Sequence, residues 1–186
     1  MDNSHAPELA TGEPRLSSHL EDPQLASLIA NHAAPRRIFQ RYRVAASPQE
    51  LFSVLGDLEG ITRFFPMIHH ASVKHAGGGA GEGSLRVCSI RGMGKVNEKI
   101  VWYRKPHGYA YRADGRMVPL RNHLGVIMIM NGVTGGSLLE WSQYFDTRFG
   151  PMGWAFPTMM RMMMNRAVAN IGILLDASVD GLSSAG

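Results

Sequence analysis

Two titratable residues, Glu98 and His123, stand in sequence surroundings that could give them a part in proton transfer. Glu98 alternates with Val96, Ile100 and Trp102, so a strand would place this acid on the same face as three apolar side chains. Burial disfavours the ionised form of a carboxyl, and a carboxyl held in that way can exchange a proton near neutral pH. The alternative for Glu98 is a structural ion pair at the rim of the apolar face.

His123 alternates with Gly125 and Ile127 on a later strand, and its imidazole titrates close to neutral pH. We therefore predict Glu98 and His123 as the candidate catalytic residues, the alternative for His123 being a structural histidine. An Arg86 that faces the same interior would be a counter-ion for Glu98 or for an anionic ligand. An exposed arginine is the commoner case, and the strand pattern of Arg86 fits either face.

Three other features of the sequence are not predicted to be functional sites. His69, His70 and His75 have no further ligand at a defined spacing, so we expect no metal site. Cys88 is predicted to be a small buried apolar side chain, since nothing near it in sequence would activate its thiol. The glycine-rich stretch 77–83 lies between two strands and does not lead into a helix, so it is not a phosphate loop. We expect no organic cofactor.

The elements that must position these residues are mostly strands. Ser47-Pro48 reads as a helix cap followed by proline in the first turn, and Gly56 and Gly60 divide the following apolar pattern into two short helices. Alternating patterns separated by turn residues predict seven strands in meander order, at 38–45, 68–75, 84–90, 95–103, 109–113, 123–130 and 137–145.

The period becomes helical after Gly150-Pro151. One apolar stripe is predicted to comprise Phe156, Met160, Met163, Ala167, Ile171, Leu174 and Ser178, and the opposite stripe Arg161, Asn165, Ala169, Gly172, Asp176 and Asp180. Only the sheet can cover such a helix, so the sheet must curl around it. The methionines within 159–164 fit a core or a pocket wall, and those facing away indicate a dimer contact or an entrance lid.

Several phrases resemble a known family: Val44–Phe52 (VAASPQELF), Phe65-Pro66, Asn97–Ile100 (NEKI) and Leu139–Trp141 (LEW). They are similar to the polyketide cyclase/dehydrase and lipid-transport branch of the START-like (SRPBCC) superfamily, over residues 36–182. The resemblance implies an α+β helix-grip fold and favours an inward Arg86. Its motifs specify the fold and leave the reaction open.

The resemblance and the strand alternation together predict a pocket for a hydrophobic small molecule. Its expected lining is Phe64, Phe65, Arg86, Cys88, Ile100, Trp102, Tyr109, Tyr111, Ile127, Trp141, Gln143, Met160, Met163 and Ala167. The first hypothesis is a cofactor-independent enzyme that cyclises or dehydrates a polyketide or aromatic intermediate. The second is a carrier of a lipid, quinone or pigment. The third is an interaction module in which Val126, Met128 and Met130 form a subunit interface.

Composition sets the outer limits of these hypotheses. With 186 residues and 45% hydrophobic content, the chain is expected to form one domain. A net charge of +4 with scattered cations argues against a nucleic-acid groove, and a single cysteine fits a reducing, cytoplasmic setting. No apolar run is long enough for a membrane span.

We expect a disordered lead-in at 1–21, an accessory helix within 22–35, the ligand-binding domain at 36–182 and a tail at 183–186.

Overall fold

The computed structural model of the protein describes residues 22–77, 79–132 and 135–182. The expected lead-in at 1–21 and tail at 183–186 lie outside the described residues. The elements of the described part, in chain order, are α1 (Pro23–Ala30), β1 (Arg36–Val44), α2 (Pro48–Leu55), a 3-10 helix (Gly60–Arg63), β2 (Ile68–Lys74), β3 (Leu85–Ile90), β4 (Gly94–Arg104), β5 (Gly108–Asp114), β6 (Leu120–Asn131), β7 (Ser137–Thr147), α3 (Pro151–Leu175) and β8 (Val179–Leu182).

The strands form one antiparallel sheet in the order β2-β3-β4-β5-β6-β7-β1-β8, curved around α3. This arrangement confirms the predicted α+β helix-grip architecture, with α2 and the 3-10 helix as the two short helices between the first two strands. Ser47 caps α2 as predicted, because its hydroxyl accepts from the Glu50 amide while the Glu50 carboxylate accepts from the Ser47 amide. No helix in the described part is long and apolar enough to cross a membrane.

The predicted count of seven strands is one too low, because β8 follows α3. Asp176 ends the helix in the left-handed conformation, with φ at 49°, and Ala177 donates to the Gly172 oxygen at 2.9 Å. The chain then turns back so that Val179 pairs with Val44 on the edge of β1. The helical pattern predicted through Ser178 and Asp180 is therefore wrong beyond residue 175.

The side of α3 that faces the sheet agrees with the prediction at Phe156, Ala167 and Ile171 but differs from it elsewhere. Met164 and Val168 are fully buried although they were outside the predicted stripe, whereas Met163 is half-buried and Leu174 is exposed. Gly172 is buried too, and β8 packs so closely on it that a Cβ at this position would come within 2.7 Å of the Val179 side chain. The reason is that α3 carries apolar residues on every side, so its sequence fits more than one stripe.

The outer face of the sheet has an apolar cluster of its own, covered by α1. Leu25 of α1 is fully buried there, together with Trp102, Ala110, Leu124, Val126 and Met128. Asp22 caps α1 by accepting from the amides of Gln24 and Leu25 at 2.9 and 3.1 Å. The subunit interface hypothesised at Val126, Met128 and Met130 required these side chains to be exposed, but Val126 and Met128 are buried beneath α1 and Met130 is half-buried.

A β-bulge in β4 explains the position of Trp102. Ile100 pairs with Tyr111 but Trp102 pairs with Ala110, so Val101 is an extra residue and the alternation reverses after it. Trp102 consequently lies on the outer face, where its indole N–H donates to Asp22 Oδ2 at 2.9 Å. The prediction that Trp102 lines the interior is therefore wrong.

Candidate functional site

A buried ion pair joins β3 and β4 on the inner face of the sheet. Arg86 and Glu98 are direct register partners, and Arg86 Nε lies 2.6 Å from Glu98 Oε2. The Arg86 side chain is 1% exposed and that of Glu98 is 11% exposed. Arg86 also donates to the backbone oxygen of Leu58 at 3.4 Å. The structure thus brings together the two charged residues that the sequence placed on adjacent strands.

Polar side chains surround this pair. The Cys88 thiol lies 3.4 Å from Glu98 Oε2, and the guanidinium of Arg86 lies 5.9 and 5.8 Å from the rings of Tyr109 and Tyr111. Burial by itself lowers the pKa of an arginine, but the Glu98 carboxylate raises the pKa of Arg86 above its usual value. Burial and the charge of Glu98 raise the pKa of the Cys88 thiol. Cys88 is therefore a protonated thiol at neutral pH and not a nucleophile.

His123 belongs to a second polar network, next to the ion pair. The backbone N–H of Ala113 donates to His123 Nδ1 at 3.1 Å, and His123 Nε2 lies 2.6 Å from Gln143 Oε1. A backbone amide can only donate, so Nδ1 carries no hydrogen and Nε2–H donates to Gln143. Gln143 Nε2 in turn donates to the Tyr111 hydroxyl at 2.9 Å. The hydrogen bonds run in one direction, from the backbone of β5 to Tyr111.

Local backbone features make this network possible. Asn122 has a φ of 50°, and the pairing of β6 with β7 shifts register between Arg121 and Leu124. His123 points inward and the neighbouring Leu124 packs on the outer face, as the alternation of a strand requires. At Gly125 a Cβ would lie 2.4 Å from the Tyr111 ring, so only glycine lets Tyr111 cross β6 to Gln143.

Burial sets the protonation of both ends of the network. It lowers the pKa of His123, and the hydrogen bond with Gln143 and the charge of Glu98 offset this effect only in part. Burial raises the pKa of Tyr111. At neutral pH the imidazole is thus uncharged with both nitrogens engaged. Tyr111 keeps its hydrogen. The Tyr111 oxygen accepts a hydrogen bond from Gln143, but none of the described residues accepts one from the Tyr111 hydroxyl.

Trp141 on β7 provides a buried donor without a partner. Its side chain faces the interior, is 3% exposed and packs edge-on against Phe65, with ring centroids 6.2 Å apart. Its indole Nε1 has no hydrogen-bond partner among the described residues. Buried N–H groups are nearly always paired, so this one needs an explanation. Sequence alternation placed Trp141 inside but gave no sign that its N–H would lack an acceptor.

The remaining predicted lining residues are distributed unevenly. Those within the inner core are Phe64, Cys88, Ile100, Tyr109, Tyr111, Ile127, Trp141 and Ala167, while Phe65 and Met160 are partly buried against it. Met163 and Trp102 do not belong to it. Tyr103 takes the inner position instead of Trp102, and its hydroxyl donates to the backbone oxygen of Gly56 at 3.1 Å. No sequence signal marks the bulge that exchanges the two residues.

Clefts on the surface of the described part include two that adjoin β4. One, of about 590 Å³, lies between α1 and the outer face of β4 and includes Gln24, Glu82 and Arg112. The other, of about 650 Å³, lies where the β3–β4 turn meets the β5–β6 loop, near Met93 and Met117. Within the described ranges, no three His, Cys, Asp or Glu side chains come together closely enough to hold a metal ion.

Comparisons with known proteins agree with this fold. The family model described as "Polyketide cyclase / dehydrase and lipid transport" matches residues 37–182. No curated protein matches the chain. The structure is similar to that of the protein XoxI from Bacillus cereus, at 18% identity, with a TM-score of 0.61 and coverage of 74% of this chain and 94% of that one. A protein from Nitrosospira multiformis is similar at 16% identity, with a TM-score of 0.59 and coverage of 74% and 96%.

Proposed function

The chain belongs to the polyketide cyclase/dehydrase and lipid transport family, and from this membership we propose that it binds a hydrophobic small molecule that carries hydrogen-bond acceptors. The ligand would lie between the inner face of the sheet and α3. The observation that carries the proposal is the unpartnered N–H of Trp141. An acceptor on the ligand would satisfy this donor and remove the cost of leaving it buried and unpaired.

The same interior supplies a second donor and an adaptable wall. The hydroxyl hydrogen of Tyr111 is free to bind an acceptor, because the Tyr111 oxygen already accepts from Gln143. Met159 and Met160 of α3 pack against the core, and methionine side chains adjust to ligands of variable shape. An apolar site with a few directed polar groups is typical of small-molecule binding. The expected ligand class is therefore a ketone, quinone or related carbonyl compound.

We favour a carrier over an enzyme because the candidate proton carriers already have partners. Glu98 is bound to Arg86, and both nitrogens of His123 are engaged. The Cys88 thiol is protonated. A general acid or base must meet the reacting atom within hydrogen-bond distance, and such groups would first have to leave these partners.

The test compares two probes of the same ring system, 1,4-naphthoquinone and naphthalene, on the wild-type protein and on Trp141→Phe. The wild type should bind the quinone more tightly than naphthalene, by about 3- to 10-fold for each satisfied donor. Trp141→Phe keeps an aromatic ring but lacks the N–H, so it should lose much of this preference. Phe65→Leu is the control, since it alters the apolar wall and keeps the donor. An equal preference in wild type and Trp141→Phe would refute the proposal.

A second candidate, an enzyme that acts on the same carbonyl compound, is supported by one feature of Glu98. Both side-chain contacts of Glu98 fall on Oε2, and the side chain keeps some exposure, so Oε1 can face a ligand. Oε1 would then take a proton from the carbon next to the carbonyl. The C–H electrons would form the enolate, whose oxygen Tyr111 O–H would stabilise.

Mass spectrometry of the natively purified protein should identify the ligand for this comparison. If the enzyme hypothesis holds, Glu98→Gln and His123→Ala should each lower product formation by about 100-fold or more with little change in affinity. If the protein is a carrier, the same variants should change affinity alone. His123 is a positioning residue here, so His123→Gln should restore part of the activity by keeping a polar group beside Gln143.

A further inference from the structure

The side of α3 that faces away from the sheet, together with the loop before the helix, exposes several large apolar side chains among polar ones. Trp154 is 84% exposed, and Phe149, Met152, Met162 and Ile173 are exposed as well. A helix that is apolar on all sides is ordinarily buried on all sides. These five residues, here called the α3 surface, therefore indicate a partner that covers them.

Positive charges outnumber negative ones near the α3 surface. Residues 147–175 include Arg148, Arg161 and Arg166 but no aspartate, glutamate or lysine, and a single aspartate follows at each end, Asp146 before the segment and Asp176 after it. Arg161 also donates to the backbone oxygen of Arg37 at 2.8 Å, so the basic start of β1 adjoins this surface. A partner that complements the α3 surface must combine apolar character with negative charge.

We propose that the α3 surface binds to a membrane surface that contains anionic lipids. Tryptophan and phenylalanine favour the boundary between headgroups and acyl chains, and arginine is attracted to anionic headgroups. This mode of binding lays the helix on the membrane and needs no segment that spans it.

A second copy of the chain fits the α3 surface less well. A two-fold contact brings the same patch of both copies together, so the positive charge of Arg161 and Arg166 would be doubled at the contact. Residues 146–176 contain three arginines and two aspartates, so positive charge stays in excess on both copies and opposes their association. Anionic headgroups supply the missing negative charge. The inference goes beyond ligand binding, because the α3 surface lies on the side of the helix opposite the proposed ligand site.

Tryptophan fluorescence provides a direct assay. The chain has three tryptophans, of which Trp102 and Trp141 are buried, so a change in emission on binding reports mainly on Trp154. The full chain would be mixed with vesicles of phosphatidylcholine alone, or of phosphatidylcholine and phosphatidylglycerol in equal parts. We expect a shift to shorter wavelength and co-sedimentation with the anionic vesicles only, and weaker binding at high salt.

Matched variants test whether the α3 surface is responsible. Trp154→Ser should lower the vesicle partition constant by about tenfold, through loss of one large buried side chain. Arg166→Gln should lower it by about fivefold. Met152→Ser should weaken binding, whereas Met117→Ser should not, although Met152 and Met117 are 60% and 61% exposed.

The proposal is overturned if anionic vesicles produce neither a shift nor co-sedimentation. It is also overturned if Met117→Ser weakens binding as much as Met152→Ser does, because the interaction would then be non-specific. A dimer in analytical ultracentrifugation that Trp154→Ser abolishes, without vesicle binding, would assign the α3 surface to a second copy instead. None of these results depends on the naphthoquinone assay, so this proposal and ligand binding can fail separately.

Discussion

Replacing Arg86 with methionine is expected to leave the Glu98 carboxylate without its partner in the interior. Arg86 Nε lies 2.6 Å from Glu98 Oε2, and the Arg86 side chain is almost completely buried. Methionine resembles the apolar stem of arginine, so Arg86→Met removes the charge with little change in packing. The backbone oxygen of Leu58 loses a long hydrogen bond as well.

The expected cost follows from the burial of the pair. Removing one partner of a buried ion pair destabilises a protein by about 3–5 kcal/mol, while an exposed pair contributes about 0–1 kcal/mol. The chain contains a matched exposed pair, Arg63 and Asp57, at 2.7 Å with side chains 50% and 46% exposed. Because the two distances are nearly equal, a comparison of Arg86→Met with Arg63→Met isolates the effect of burial.

The assay is urea unfolding at neutral pH, followed by circular dichroism, with the free energy of unfolding extrapolated to water. Arg86→Met should lose several times more stability than Arg63→Met. The double variant Arg86→Met/Glu98→Leu should recover most of the loss, since it leaves no unpaired charge in the core.

Two results would contradict this reasoning. If Arg86→Met loses no more stability than Arg63→Met, the Glu98 carboxylate is not held in a low-dielectric interior. If the double variant is as unstable as Arg86→Met, the arginine contributes by filling space and by its bond to Leu58, and charge compensation is not its main role.

Three further predictions concern the polar network and α1. Gly125→Ala should destabilise the protein by about 1–3 kcal/mol by displacing Tyr111, and adding Tyr111→Ala should lessen the effect of the alanine in urea unfolding. The pKa of His123 in the folded protein lies below its unfolded value near 6.5. The stability that depends on a neutral His123 is therefore complete above pH 6.5, and it is lost as the pH falls from 6.5 through the folded pKa. His123→Gln should flatten the profile of stability against pH between neutral and acidic pH. Asp22→Ala removes the cap of α1 and the acceptor of the Trp102 N–H. It should lower the free energy of unfolding by about 0.5–2 kcal/mol and speed hydrogen exchange in α1. Equal exchange in α1 of the wild type and the variant would contradict the role of the cap.

The sequence predicted the sheet, the capped α2 and the long helix because these elements have strong local signals. Strand alternation also placed Glu98, Tyr109 and Gln143 on the inner face, since period-two patterns transfer directly to faces when pairing is regular. It left Arg86 open to either face. The register partner that decides the question lies on the next strand, which a single strand's pattern does not describe.

The errors arose where one residue changes the geometry. The extra Val101 moved Trp102 to the outer face, and left-handed Asp176 ended α3 and allowed β8 to form. Neither position carries a glycine or proline that would have marked it. On α3 the methionine-rich sequence fits several stripes equally well, so packing against the sheet decided between Met163 and Met164.

The direction of the polar network explains why the proposed ligand should carry acceptors. The Ala113 amide can only donate, and this fixes the hydrogen of His123 on Nε2. Gln143 must then turn its oxygen to His123 and its amide nitrogen to Tyr111, which leaves the hydroxyl hydrogen of Tyr111 as the group offered to the interior. A proton added at Nδ1 would face the Ala113 N–H, donor against donor. A backbone group on β5 therefore sets the tautomer of His123 and, through Gln143, the kind of hydrogen bond available to a ligand, while burial lowers the pKa of His123.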